Sequence, residues 1–308
     1  MNPQPRRVLA ATDFSPAGDR AARRAASVAS TIGGALHLVH VLPPPELMEE
    51  IFAGPASSEA QDFRSRAEQA LQERAHSLSE RYGVSPVCEL RSGRAHEVIL
   101  DACESLGAQL IVVGARGERD GVPSPQTVGD TALKLAARSR VATLLVRREA
   151  EVPYCHVIGC VRGVSADRVV IEWADRVSPA DLIHIVSAYS VPYERRLTDW
   201  GASQRTLDVY AARERENRTR NLSELLSEFG LPIARARLHV ERGEPVATIL
   251  QLATQWQADL LILGRRAEAD LLWEAGRFGS IARRVAFLAP MDVMLVPPRS
   301  PPDAPGRS

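Results

Sequence analysis

Two segments of this chain carry residue types and spacings suited to holding an anion. The first reads Gly114-Ala115-Arg116-Gly117 and resumes at Gly129. Glycines at both ends of such a loop let backbone N–H groups approach a phosphate closely, and a helix opening at Gly129 adds its own unpaired amides. The second reads Gly264-Arg265-Arg266-Ala267 and resumes at Gly279-Ser280. It exchanges one glycine for Ala267 but offers a hydroxyl donor at Ser280. Upstream of each segment a short apolar run ends in a polar residue, Asp13 in one case and Arg162 in the other. A carboxylate there accepts from hydroxyls, whereas an arginine only donates. Arg162, Arg265, Arg266 and Ser280 form a basic set that fits an anion. Two plainer readings stay open: the glycines serve only as turns, and the arginines are solvated or paired with acids such as Asp270 and Glu274.

Other chemistries find little support. The seven histidines (37, 40, 76, 96, 156, 184 and 239) show no H-E-x-x-H or similar metal spacing, so no metal site is expected. His40 and His184 fall on corresponding apolar runs and read as core or interface residues. No G-x-S-x-G elbow is present, and the first apolar run ends in Asp13-Phe14-Ser15 rather than a dinucleotide-binding glycine turn. Lys134 is the single lysine, which leaves no other candidate for a phosphate-binding or Schiff-base amine. No catalytic residue is assigned. Cys88, Cys103, Cys155 and Cys160 form no C-x-x-C pair and read as free thiols of a reducing compartment. Lys+Arg and Asp+Glu both total 38, so no net field draws the chain to nucleic acid or an anionic membrane. No apolar run approaches the roughly 20 residues of a membrane span. A cytoplasmic protein is the expectation.

The elements that must position these residues occur twice. Gly93, Gly114 and Gly129 each recur 150 positions later, as Gly243, Gly264 and Gly279, with apolar runs Leu110–Val113 and Leu260–Leu263 between them. A period this long means duplicated domains, not a solenoid. In the first copy, strands are expected at 8–12, 36–42, 87–90, 109–113 and 141–146. Helices are expected from Pro16 to about Thr31, at 58–81, 95–105 and 129–138. Ser15 caps the first helix, and Gly33-Gly34 stop it. The second copy follows with strands at 156–161, 181–187, 235–240, 259–263 and 292–296. Its helices are expected at 166–176, 203–229, 245–256 and from 279. Strands alternating with helices give an α/β fold with mainly parallel five-stranded sheets. The domains are 1–150 and 151–298, followed by a Pro-rich tail at 299–308 expected to be disordered. The last strand of each copy is apolar and would be an exposed edge if left alone.

Ala11-Thr12-Asp13-Phe14-Ser15, Leu38-Val39-His40-Val41, the run 109–117 and Gly129-x-x-Ala132 together resemble a universal stress protein domain of the UspA type. Because both copies share the pattern, nearly the whole chain resembles a tandem member of that family. The resemblance implies two Rossmann-like domains, dimer-like pairing of the two halves through their last strands within one chain, and room for further self-association. It also implies an adenine nucleotide such as ATP as ligand. In ATP-binding members the loop reads Gly-x2-Gly-x9-Gly-Ser/Thr. Carried over, Asp13 and the backbone at Val41 would hold the nucleoside, and Gly114, Gly117 and Gly129 the phosphates.

This chain departs from that pattern in both copies. Eleven residues separate Gly117 from Gly129, and Asp130 replaces the hydroxyl residue. A carboxylate a few ångströms from a phosphate costs on the order of 1–4 kcal/mol, depending on the local dielectric. Asp130 could alternatively cap its helix. The second copy retains Gly264, Gly279 and Ser280 but has Arg162 in place of the acid. The expected function is a stress-response binding or regulatory module whose nucleotide-type site has diverged in each half, holding a nucleotide or another small anion. The alternatives are an ATP-using enzyme, such as a weak ATPase or adenylating enzyme, and a nucleotide-independent scaffold.

Overall fold

The computed structural model of the chain describes residues 6–52, 57–116, 128–149, 152–178, 182–190, 193–230, 235–265 and 280–298. The first lobe contains β1 (Arg7–Ala11), α1 (Pro16–Ile32), β2 (Ala35–Leu42), α2 (Pro45–Phe52), α3 (Ser58–Tyr82), β3 (Val87–Ser92), α4 (Ala95–Leu106), β4 (Leu110–Gly114), α5 (Asp130–Arg138) and β5 (Ala142–Val146). The second contains β6 (Val157–Cys160), a 3₁₀ turn (Ser165–Asp167), α6 (Arg168–Val177), β7 (Ile183–Tyr189), α7 (Glu194–Asp199), α8 (Gln204–Phe229), β8 (Ala236–Arg242), α9 (Pro245–Gln255), β9 (Leu260–Gly264), α10 (Ser280–Leu288) and β10 (Asp292–Val296).

Local chemistry sets these boundaries. Ser15 Oγ accepts from Gly18 N at 3.1 Å to cap α1, Pro16 opens it, and Gly33 ends it at φ 62°. The same device recurs at Ser57 and Gly83 around α3 and at Ser203 and Gly230 around α8. The strands carry apolar side chains on both faces because helices cover both. Helices α1, α3, α6 and α8 pack on one face, and α4, α5, α9 and α10 on the other. Successive residues divide accordingly: Leu144 joins the first core and Leu145 the second. Two short helices, α2 and α7, lie in segments where the sequence pattern places no element.

Each lobe has strand order 3-2-1-4-5 or its equivalent, all parallel. The two sheets are continuous: β10 pairs antiparallel with β5, with Met294 opposite Leu144, giving one ten-stranded sheet in the order β3-β2-β1-β4-β5-β10-β9-β6-β7-β8. Neither final strand is left as an edge. The edges are instead β3 and β8. The repeat is also visible in single hydrogen bonds. Gly93 N donates to Leu42 O at 3.1 Å, and Gly243 N donates to Tyr189 O at 2.8 Å. The tail at 299–308 lies outside the described residues. Among the described residues no helix is long and apolar enough to cross a membrane.

Candidate functional site

In a sheet of this order the strand sequence reverses direction between β1 and β4, and again between β6 and β9. Ligands in open α/β folds bind in the crevice outside the carboxyl ends of the strands at such points. Register makes the two crevices comparable residue by residue. Ala11 faces Val39 as Cys160 faces Val186, and Thr12 N donates to Val39 O as Val161 N does to Val186 O. Asp13 is therefore matched by Arg162, Phe14 by Gly163, Gly18 by Asp167, and Val41 by Ala188.

Asp13 follows the end of β1, and Val41 lies two residues beyond Val39, the partner of Ala11 in β2. Strand alternation points the Val41 backbone toward the β1 side, past the end of that strand, where Asp13 turns away. Asp13 is exposed, and its Oδ1 accepts from Ser15 N at 3.1 Å and Ser15 Oγ at 2.5 Å. Phe14 adopts φ 64°, uncommon for a bulky residue, and stacks on His40 at 3.9 Å between ring centroids. The Arg74 guanidinium lies over the Phe14 ring at 4.5 Å and pairs with Asp19 at 2.7 Å. His40 Nδ1 lies 2.8 Å from Thr12 O, which can only accept, so the ring donates there. Burial lowers the His40 pKa, although the Thr12 carbonyl and Asp13 pull it upward. His40 is thus a positioning group that ties β2 to the turn after β1.

At the phosphate end of the first lobe, Gly114 and Gly129 are held by contacts within the chain. Gly114 closes β4, and a Cβ added there would lie 2.9 Å from Ala17 O and 3.0 Å from Ala17 C. This glycine is demanded by the close approach of α1, independent of any ligand. Gly129 is the N-cap of α5 and donates to Ala115 O at 2.8 Å, but it provides no side-chain cap. The expectation that Asp130 caps α5 is not met: Asp130 is the first helical residue and pairs with Lys134 Nζ at 2.7 Å. The favourable end of the helix dipole and a neighbouring cation account for an acid there. Gly117 lies outside the described residues.

The second lobe keeps an open cleft of about 150 Å³ at the ends of β6, β7 and β9. Gly264 and Ser280 both line it, as do Arg162, Asp167, Ala188 and Ile249. Gly264 closes β9, and among the described residues a Cβ there would meet only Val170 Cγ2, at 3.6 Å. Ser280 is exposed as the first residue of α10. Cys160 lies in the floor with its thiol pushed up to about 12 by burial, so it stays protonated. Gly279, Arg266, Ala267, Asp270 and Glu274 lie outside the described residues.

The basic set expected from sequence does not assemble as written. Arg265 is buried and turned out of the cleft. Its Nη1 donates to Ala136 O at 2.6 Å and Ala137 O at 2.8 Å, and its Nη2 donates to Ser139 O, all at the C-terminal end of α5 in the other lobe. Carbonyls at a helix C-terminus lack intrahelical partners, and a cation satisfies both their lone pairs and the dipole. Arg147 makes the reciprocal contact, donating to Ala286 O in α10. Burial brings its pKa down to about 10. Arg162 remains at the cleft rim with its side chain 52% exposed, 4.0 Å from Asp167.

Two residues of this cleft escape sequence reasoning. Ala188 carries no chemistry in its side chain; only register identifies it as the backbone counterpart of Val41. Asp167 is the missing acid in a new place. A Cβ on Gly18 would lie 2.6 Å from Asp13 Oδ1, so the equivalent position reaches the space of the Asp13 carboxylate. In the second lobe Asp167 fills it from the helix side, and its Oδ2 accepts from the amides of Arg162, Gly163 and Val164 at 2.7, 2.8 and 3.0 Å. The signal available was an acid five residues beyond Arg162, at the start of a helix. Among the described residues no group of three or more His, Cys, Asp or Glu is placed to hold a metal ion.

Comparison with known proteins agrees with this architecture. The universal stress protein family model matches twice, over residues 5–147 and 154–297. A universal stress protein from Archaeoglobus fulgidus DSM 4304 is 17% identical and superposes with a TM-score of 0.69, covering 96% of this chain and 99% of the other. A protein of unknown function from Pseudomonas aeruginosa PAO1 is 16% identical, with a TM-score of 0.63 and coverage of 96% and 93%. At these identities the likeness is one of fold. No curated protein matches the chain. With two family matches spanning nearly its whole length, one on each lobe of a continuous sheet, the chain belongs to the universal stress protein family as a tandem member.

Proposed function

We propose that this protein is a stress-response binding module that takes one anionic ligand per chain, in the cleft of the second lobe. The observation that carries this reading is the pairing of Arg162 and Ser280 on one open cleft. The first lobe, by contrast, presents the Asp13 and Asp130 carboxylates at the two ends of its crevice. The family resemblance offers an adenine nucleotide as the alternative ligand, which would direct its phosphates toward Gly264, Gly279 and Ser280. Binding, not turnover, fits the chemistry: the Cys160 thiol is protonated and the Asp167 carboxylate is occupied by three backbone amides. The four free cysteines support a reducing, cytoplasmic setting.

Calorimetry of the full chain with ATP, AMP, cyclic AMP and inorganic phosphate tests the proposal. One site per chain is expected, weakened at least tenfold by Arg162→Ala and left intact by Asp13→Ala. Two equal sites, or binding lost in Asp13→Ala and kept in Arg162→Ala, would overturn it. Ligand binding to the native state should also raise the melting temperature, with a rise that continues as the logarithm of ligand concentration above the dissociation constant.

A further inference from the structure

The second-lobe cleft differs from its first-lobe counterpart in the polarity of both ends. The Asp13 carboxylate, an exposed acceptor, is replaced by the Arg162 guanidinium, a donor. The carboxylate that remains, Asp167, is buried under the turn with one oxygen bonded to three amides and the other facing Arg162 at 4.0 Å. The acid that lines this cleft is therefore a buried one tied to the turn, where the first lobe has an exposed one. The same cleft is lined by Ser280, whose hydroxyl is again able to donate. The cleft is floored by Val161, Ala188, Ile249, Leu263 and Ile281. Its volume of about 150 Å³ is below the roughly 300 Å³ at which pockets for drug-sized ligands begin, and matches a cavity that accepts a single benzene ring.

Resting on the assignment of the ligand site to the second lobe, we propose that this cleft is specific for a compact organic acid or phosphate monoester: an anionic head on a short apolar body, without a ribose. Arg162 and Ser280 bind the head, and the aliphatic floor takes the body. Arg162 is the specificity-determining residue. A guanidinium pairs with a planar or tetrahedral anion in a fixed fork, and its half-exposed position lets it close over the head without stranding a buried charge. A nucleoside gains less here, because Arg162 replaces the exposed acceptor that would read its diol and the remaining acid, Asp167, is buried and held by the amides of its own turn.

Calorimetric titration of the full-length chain with phenyl phosphate, inorganic phosphate, AMP and adenosine decides the matter. Phenyl phosphate is expected to bind at one site, at least tenfold more tightly than inorganic phosphate, with AMP no tighter than inorganic phosphate and adenosine silent. Arg162→Ala should weaken phenyl phosphate at least tenfold, and Arg162→Asp should abolish it, with circular dichroism confirming that both variants stay folded. AMP binding more tightly than phenyl phosphate at the Arg162-dependent site would overturn this specificity while leaving the second-lobe binding site standing. Phenyl phosphate affinity unchanged in Arg162→Ala would overturn the specificity, and silence of all four probes would remove the binding site with it.

Discussion

Arg24 of the first lobe faces Asp292 of the second as a buried ion pair, Nε to Oδ2 at 3.3 Å. The pair is the centre of a larger junction. Asp292 also accepts from Arg147 N at 2.7 Å, Arg148 N at 2.9 Å and Tyr154 OH at 2.7 Å. Arg24 donates to the carbonyls of Val152 and Glu149 and stacks over Tyr154 at 4.2 Å. Burial, then the Asp292 charge, raises the Tyr154 pKa well above its ordinary value, which keeps the phenol a donor. The segment between the lobes is thereby fixed to both of them.

Removing Asp292 should therefore destabilise the whole chain. Asp292→Ala leaves a buried guanidinium without its counter-ion and three other donors without an acceptor, a change expected to cost about 3–5 kcal/mol in urea unfolding. Glu149→Ala breaks only the exposed contacts with Arg20 and Arg23 and should cost less than about 1 kcal/mol. Equal effects from the two variants would show that the junction carries no special share of stability.

The equivalent glycines at the strand ends should respond differently to the same substitution. Gly114→Ala forces a methyl group to 2.9 Å from the Ala17 carbonyl, so α1 must move, and a loss of about 1–3 kcal/mol is expected. Gly264→Ala meets, among the described residues, only the Val170 side chain at 3.6 Å and should stay within about 0.5 kcal/mol of the parent chain. Thermal melts of the two variants check both values. A tolerated Gly114→Ala would mean that the glycine is kept for a ligand and not for packing.

What could be read from sequence follows from the range of the interactions involved. Ser15, Pro16 and Gly33 act within one turn of α1, and the duplicated apolar runs act within one strand, so helix, strand and repeat were legible. Helices α2 and α7 were not, because six to eight residues hold too few turns for a periodic signal. Arg265 stands in a loop whose sequence suggests an anion site, yet its partners lie more than 120 positions away, and only the folded chain shows that it serves α5. Asp167 was hidden for a related reason. A carboxylate can enter the same space from the strand end or from the following helix, and linear alignment compares only one of these at a time.

Stability should fall as the medium is acidified below neutrality. His184 Nδ1 lies 3.0 Å from His239 Nε2, a contact that one proton can bridge but two cannot, and both rings pack on Trp256. Burial holds both imidazoles below their ordinary value of 6.5; His239, Arg237 and His156 lower His184 further, while Glu241 partly offsets the effect at His239. A depressed folded-state pKa means that the unfolded chain binds protons more readily. The stabilisation is therefore complete above pH 6.5 and is lost as pH falls through the folded-state value. Urea unfolding at pH 7.5 and 5.5 should show this loss, and a His184→Gln/His239→Gln double variant should show a shallower dependence. His37, His40 and His96 are shifted the same way, so some slope should remain. An unchanged slope in the double variant would rule out the pair as a contributor.

Arg162 and Arg265 sit at the same crevice by sequence but should separate cleanly in their effects. Arg265 satisfies three carbonyls at the end of α5 from within the lobe junction, where net hydrogen bonds from a charged donor contribute about 1.5–3 kcal/mol each and do not add fully. Arg265→Ala strands those carbonyls and should lower stability by about 2–4 kcal/mol. Its ligand affinity, measured where the chain is still folded, should change little, because the guanidinium never faces the cleft. Arg162→Ala should do the reverse: unfolding within about 0.5 kcal/mol of the parent, as for an exposed side chain, and a large loss of anion binding. The backbone amide of residue 162, which holds Asp167, is retained in that variant. Should Arg265→Ala bind poorly yet unfold normally, the arginine would have to leave α5 and enter the cleft in the bound state. The basic set of the loop would then be a ligand site after all.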